Sequence, residues 1–102
     1  MDAMELLKRF RAAFALPVCE HVPVDHAEAR AEACEECGSR INLRICSTCG
    51  HVGCCDSQHG HARVHFHETG HAVMRAKTTI GRGFIWCYED DGYMEERESE
   101  AA

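Results

Sequence analysis

Leu6, Leu7, Phe10, Ala13 and Phe14 recur at helical spacing near the start of the chain, with Lys8, Arg9 and Arg11 on the other side, and Pro17 stops the run. The pattern predicts an amphipathic helix over 3–16, docked on the rest of the domain by its apolar stripe. Beyond Pro17 the period shortens. Residues 41–46, 51–54, 72–77 and 84–88 read as strands, and 60–69 as a short helix that Gly70 ends. From Asp91 the chain turns acidic and poor in apolar groups, which predicts a solvated tail. The expected organisation is a helical segment 1–17, a central domain 18–90 and a disordered acidic tail 91–102, with no internal repeat.

One domain of 102 residues has too little apolar surface for a deep core, so another source of folding free energy is expected. Seventeen acids against eleven Lys and Arg give a formal charge of -6, with the basic residues scattered. That distribution argues against nucleic-acid binding, which needs a basic face to meet phosphates. No uninterrupted apolar stretch is long enough for a signal peptide or a membrane span, so a cytoplasmic protein with reduced thiols is expected. A monomer without membrane contact fits the same reading.

Seven of the eight cysteines and four of the eight histidines fall into a ladder of metal-ligand spacings between Cys19 and Cys87. It runs Cys19-x-His21, Cys34-x-x-Cys37, Cys46-x-x-Cys49, Cys54, His61, His65, His71 and Cys87. The two C-x-x-C pairs are each followed by glycine (Gly38, Gly50), and two thiolates at that spacing chelate one ion from one tight turn. Disulfides need no interleaved histidines, and a thioredoxin-like redox pair wants one C-x-x-C opening a helix. Zinc is the expected cofactor, as part of the fold. The simplest pairing from spacing alone places Cys34, Cys37, Cys46 and Cys49 around one ion.

The order C-x-H, C-x-x-C, C-x-x-C-G, G-C, G-H-A-x-x-x-H, T-G-H and W-C-Y, over about 19–90, resembles the UBP-type zinc finger, a ubiquitin-binding domain; stand-alone members without a protease or deacetylase domain are similar to bacterial ones. The resemblance implies an α/β (α+β) fold, an antiparallel sheet packed with helices, and three zinc ions in cross-braced sites. It implies a different pairing: Cys34 and Cys37 with Cys54 and His61, and Cys46 and Cys49 with His65 and His71. A third set is implied by Cys19, His21 and Cys87, where the family's fourth ligand is a cysteine three residues after Cys87. Here that residue is Asp90, an acceptable zinc ligand, with Glu89 or Asp25 as stand-ins. Cys55 is left over, and His26, His51, His59 and His67 are expected at the surface.

His67-Glu68-Thr69-Gly70-His71 also matches the H-E-x-x-H signature of zinc metalloproteases. That chemistry needs both histidines on one continuous helix and an open metal position for water, whereas Gly70 interrupts the helix and nearby thiolates would close the coordination sphere. A non-enzymatic interaction module is therefore expected, with a purely structural or metal-buffering zinc protein as the further alternative. The resemblance also implies a pocket for a free peptide C-terminus, using an arginine, a tryptophan and aromatics around W-C-Y. This chain keeps Trp86 and Tyr88, as ligand contacts or as core, but has Asp56 for the arginine and Arg44 for the tryptophan. Either Arg44 receives a ligand carboxylate from the opposite wall or Arg44 pairs with Asp56, and the pair is slightly favoured. A protein or peptide tail is the expected partner, and because Asp56 would repel a carboxylate, binding of a ubiquitin tail is expected to be weak or absent.

Overall fold

The computed structural model describes residues 2–4, 16–79 and 83–97. Most of the helix expected over 3–16 lies outside the described residues. Five short strands form one antiparallel sheet: β1 (Leu43–Cys46), β2 (Val52–Cys54), β3 (Val73–Ala76), β4 (Ile85–Cys87) and β5 (Gly92–Met94), in the order β2-β1-β3-β4-β5. Between β2 and β3 comes α1 (His61–Thr69), which carries the chain over β1 to its far side. The architecture is a small α+β domain.

Helix α1 is short because both ends are set by glycine. Gly60 (φ 66) and Gly70 (φ 80) are left-handed, a region costly for other residues, and the Gly70 amide donates to the Phe66 carbonyl at 2.7 Å. Thr69 then fixes the exit: its hydroxyl donates to the His65 carbonyl at 2.7 Å and accepts from the His71 amide at 3.1 Å. The helix rests on β2 and β1. Contact is closest at Gly53, where a Cβ would lie 2.7 Å from the Ala62 backbone nitrogen.

Strand alternation gives the sheet two different faces. Ile45, Arg75, Ile85 and Met94 are register partners on one face, and Met74, Trp86 and Tyr93 on the other. The apolar core is split in two. One cluster gathers Val22, Ala72, Val73, Ile85, Cys87 and Met94, and the other Cys34, Leu43, Ile45, Val52 and Cys54. Each holds cysteines from the metal-ligand ladder, so the thiols belong to the core as well as to the chemistry.

The tail expected from Asp91 is corrected in its first part. Gly92–Met94 is an edge strand paired with β4, Met94 is buried, the Glu95 amide donates to the Pro17 carbonyl at 2.7 Å, and Arg97 reaches the carbonyls of Glu20 and Val22. Three residues suffice for an edge strand, and a single inward methionine among charges is too weak a pattern to mark one. His26 and His51 also differ from expectation: His51 is only 4% exposed and His26 is half-buried, whereas His59 and His67 are exposed.

Because the helix sits on a bare glycine, Gly53→Ala should force α1 off β2. A loss of about 1–3 kcal/mol or more is expected from the added methyl group, measured by thermal unfolding of the zinc-loaded protein.

Candidate metal centre and ligand pocket

Three groups of four ligand atoms lie within 4.8 Å of one another: Cys34, Cys37, Cys54 and His61; Cys46, Cys49, His65 and His71; and Cys19, His21, Cys87 and Asp90. The structure thus separates the two C-x-x-C knuckles instead of joining them, and the four-cysteine site suggested by spacing does not form. Each knuckle draws one ligand from α1, because His61 and His65 are one turn apart on one helix face. The Gly70 stop and Thr69 bring His71 back beside His65, with ring centroids 5.4 Å apart.

The separations suit a tetrahedral ion. In the first group the Cys34 and Cys54 sulfurs lie 3.4 and 3.3 Å from His61 Nδ1, and Cys37 lies 3.9 Å from Cys54. In the second, Cys46 is 3.6 Å from His71 Nδ1 and Cys49 is 3.4 Å from His65 Nε2. Ordinary Zn–S and Zn–N lengths at tetrahedral angles give edges of about 3.3–3.8 Å. In the third, Asp90 Oδ2 is 3.0 Å from His21 Nδ1 and 3.5 Å from the Cys87 sulfur, and Cys87 is 3.6 Å from His21. Glu89 and Asp25 are not in that group. All eight cysteines are free thiols, and Cys55 stays outside the groups with its sulfur 2.7 Å from the Ser57 hydroxyl.

The surroundings prepare two of these atoms, on Cys54 and His65, to bind a cation, whereas the Cys37, Cys46 and Cys87 thiols are pushed up. Burial acts most strongly on the Cys54 thiol and pushes it up, but backbone amides of His61 and His59 outweigh this and bring it to about 7. Burial, with His51 and His71 nearby, holds His65 down to about 4, so its ring is neutral at pH 7. Burial also drives the Cys87 thiol up to about 11 against the amides of Asp90 and Glu89. The third group differs further in its carboxylate and in its exposure, since His21 and Asp90 both face solvent.

Sequence reasoning missed His51. Its ring stacks on His65 with centroids 4.1 Å apart and planes 4° apart, and Nε2 contacts Glu36 Oε1. Glu36 Oε2 in turn lies 3.5 Å from the Cys34 sulfur, so one Glu–His pair spans the first two groups. Its only sequence signal is its place directly after Cys49-Gly50, where the second knuckle ends.

On the face that carries Trp86 and Tyr93, a concavity of about 290 Å³ is lined by Arg44, Asp56, Phe84, Trp86, Tyr88 and Tyr93 among others. The four pocket candidates therefore meet, but the favoured Arg44–Asp56 pair does not form. Asp56 is taken by Arg63 of α1, with contacts of 2.6 and 3.1 Å, and this hydrogen-bonded guanidinium holds its carboxyl below the usual range. Arg63 wins because the turn after β2 lies against the first turn of α1, a proximity that only the folded chain creates. Arg44 instead stacks 4.6 Å over the Phe84 ring and donates to the Leu43 carbonyl at 3.2 Å. Trp86 and Tyr93 meet edge to face at 4.9 Å, and the Trp86 indole N–H is buried without an acceptor.

A small α+β domain with paired thiols and histidines set around shared points is a zinc finger. The model of the family described as "Zn-finger in ubiquitin-hydrolases and other protein" matches residues 34–99, and the chain belongs to that family. It is 36% identical over 78 residues to the BRCA1-associated protein of Homo sapiens, covering 76% of this chain and 12% of that protein. It is 34% identical over 67 residues to ubiquitin carboxyl-terminal hydrolase 14 of Schizosaccharomyces pombe, covering 57% of this chain and 9% of that one. The chain therefore spans a small fraction of these relatives. Among solved structures, the solution structure of protein RPA1320 from Rhodopseudomonas palustris is similar, with 44% identity, a TM-score of 0.66 and coverage of 76% of this chain and 81% of that one. Zinc binding follows from family and donor set together.

Replacing His51 by Ala removes the stacking partner of His65 and the imidazole contact of Glu36. A fall in zinc affinity of about 10-fold or more is expected, measured by chelator competition.

Proposed function

We propose that the chain is a non-enzymatic module that holds three zinc ions on twelve residues and captures the C-terminal tail of a protein partner. The ion assignment follows the three groups: Cys34, Cys37, Cys54 and His61; Cys46, Cys49, His65 and His71; Cys19, His21, Cys87 and Asp90. The zinc supplies cross-links between strands, turns and helix. No cysteine is in a disulfide, which leaves seven of them available as zinc thiolates, and no helix among the described residues is long and apolar enough to cross a membrane.

The observation that carries the tail reading is Arg44. Its guanidinium stands at an aromatic-walled pocket with no carboxylate partner among the described residues, while the one acid there, Asp56, is already neutralised by Arg63. A peptide carboxylate would supply the missing partner, with the chain behind it lying against Phe84, Trp86, Tyr88 and Tyr93. The repulsion expected from Asp56 is thereby reduced, but the arginine that relatives place at that position is still absent. A Gly-Gly tail of the ubiquitin type should bind weakly.

Protease chemistry fits poorly. His67 is exposed on α1, while His71 lies beyond the left-handed Gly70 and within the Cys46 group, so the two do not present one metal from one helix face. A purely structural zinc protein would leave the unpaired arginine and the aromatic concavity without a ligand.

Elemental analysis of protein purified without added metal should give close to three zinc per chain, and Asp90→Ala should reduce that to two. Peptides with a free C-terminal carboxylate, selected from a library of C-termini, should bind at least tenfold more tightly than the same peptides amidated. Arg44→Ala should remove that difference, about 1.5–3 kcal/mol for a charge-assisted contact. Equal binding of acid and amide would end the carboxylate reading.

A further inference from the structure

The opposite face of the sheet carries a second concavity, of about 360 Å³. Its floor includes Ile45, Arg75 and Ile85, which are register partners on three adjacent strands, and its rim includes His26, Glu28, Lys77 and Glu96. Both isoleucines are 4% exposed, so the half-buried arginine side chain rises between two apolar neighbours. One of its amino groups is used, Nη2 donating to the Ala27 carbonyl at 2.9 Å. Nε is buried without an acceptor, and Arg75 forms no ion pair among the described residues.

The acids nearby are engaged elsewhere or stand off. Glu96 Oε1 lies 3.1 Å from His26 Nε2, whose ring also has Nδ1 2.6 Å from the Ser47 hydroxyl. Lys77, the other cation of the rim, meets Glu32, whose side chain is 81% exposed, at 3.3 Å. Glu28 lines the rim without reaching Arg75. A guanidinium cannot escape desolvation by losing its proton, and a cation in such a setting without counter-charge is costly. A ligand with a delocalised anionic group meets both deficits at once, offering two oxygens to the guanidinium fork.

We propose that this cavity is an oxyanion site in which Arg75 is the primary anchor and Lys77 the secondary one, taking a carboxylate or phosphate group. The two rim acids set an upper limit on the ligand's charge. A small mono- or dianion fits, and a polyanion such as nucleic acid is repelled, in line with the formal charge of -6. The site is independent of the tail pocket, since strand alternation places Arg75 and Trp86 on opposite faces.

The test uses the full zinc-loaded chain in chloride at fixed ionic strength, titrated separately with sodium phosphate and sodium acetate. Nuclear magnetic resonance follows the Arg75 Nε–Hε signal and the amides of Ala76 and Lys77, and thermal unfolding is recorded in parallel. Saturable shifts at Arg75 with a rise in Tm are expected with at least one of the two anions, and which one responds distinguishes a phosphate from a carboxylate ligand. Arg75→Met should unfold at the same temperature or higher in chloride and lose the response, while Arg75→Lys should retain a weakened one and Glu28→Gln should strengthen it. Absence of saturable shifts in the unmodified protein with both anions would overturn the proposal. So would an undiminished Tm response in Arg75→Met, or a strongly lowered Tm of that variant in chloride, which would make Arg75 a structural tie to Ala27.

Discussion

One helical turn ties the two cysteine knuckles to each other. His61 and His65 leave the same face of α1 and enter two different ligand groups, so a nine-residue helix joins both cysteine knuckles and both edges of the β1–β2 hairpin. The helix is too short to persist by its own hydrogen bonds. It is held in place because its two histidines meet thiols that are already part of the core, Cys34 and Cys54 in one apolar cluster and Cys46 at the end of β1. Candidate metal donors and buried core atoms are the same sulfurs here. In a domain whose core is divided into two small clusters, that overlap replaces the single large core of a bigger protein.

The interleaving also explains the roles of residues that ligate nothing. Gly53 permits the helix to approach, Thr69 turns the chain from helix to His71, and His51 with Glu36 joins the first two groups through stacking and a hydrogen bond. Among the described residues no ring stacks on the third group, although Arg97 holds the carbonyls of Glu20 and Val22 on either side of His21. That group lies where the segment after Pro17 crosses β4 and the β4–β5 turn, with a carboxylate in place of a thiol and two ligands facing solvent.

Much of this was legible in the sequence because ligand spacing and glycine placement are local. The four strands expected from their apolar runs and the helix ended by Gly70 all appear, each within a residue or two of its expected limits. Family resemblance named the same three quartets that the folded chain draws together, which spacing alone would have grouped differently. What escaped depends on distant parts of the chain meeting. Nothing in Gly92-Tyr93-Met94 marks a strand until β4 offers an edge, nothing near Asp56 identifies Arg63 as its partner, and a histidine after a knuckle looks like surface until His65 lies over it. Arg75 is similar: a lone arginine in a strand-like run reads as solvent-facing, and only the register shows the isoleucines on both sides.

Strand β4 and the residue after it place Trp86, Cys87 and Tyr88 in direct succession, so ligand-pocket residues alternate with a thiol of the third quartet. The two-residue repeat of a strand puts the concavity and the quartet on opposite sides of the same three positions. A deletion or insertion of one residue there would exchange them, turning the thiol toward the pocket and an aromatic ring toward the quartet. Substitution can thus change the walls of the concavity, but a change in their spacing would displace the thiol: the strand is a reading frame shared by two candidate sites.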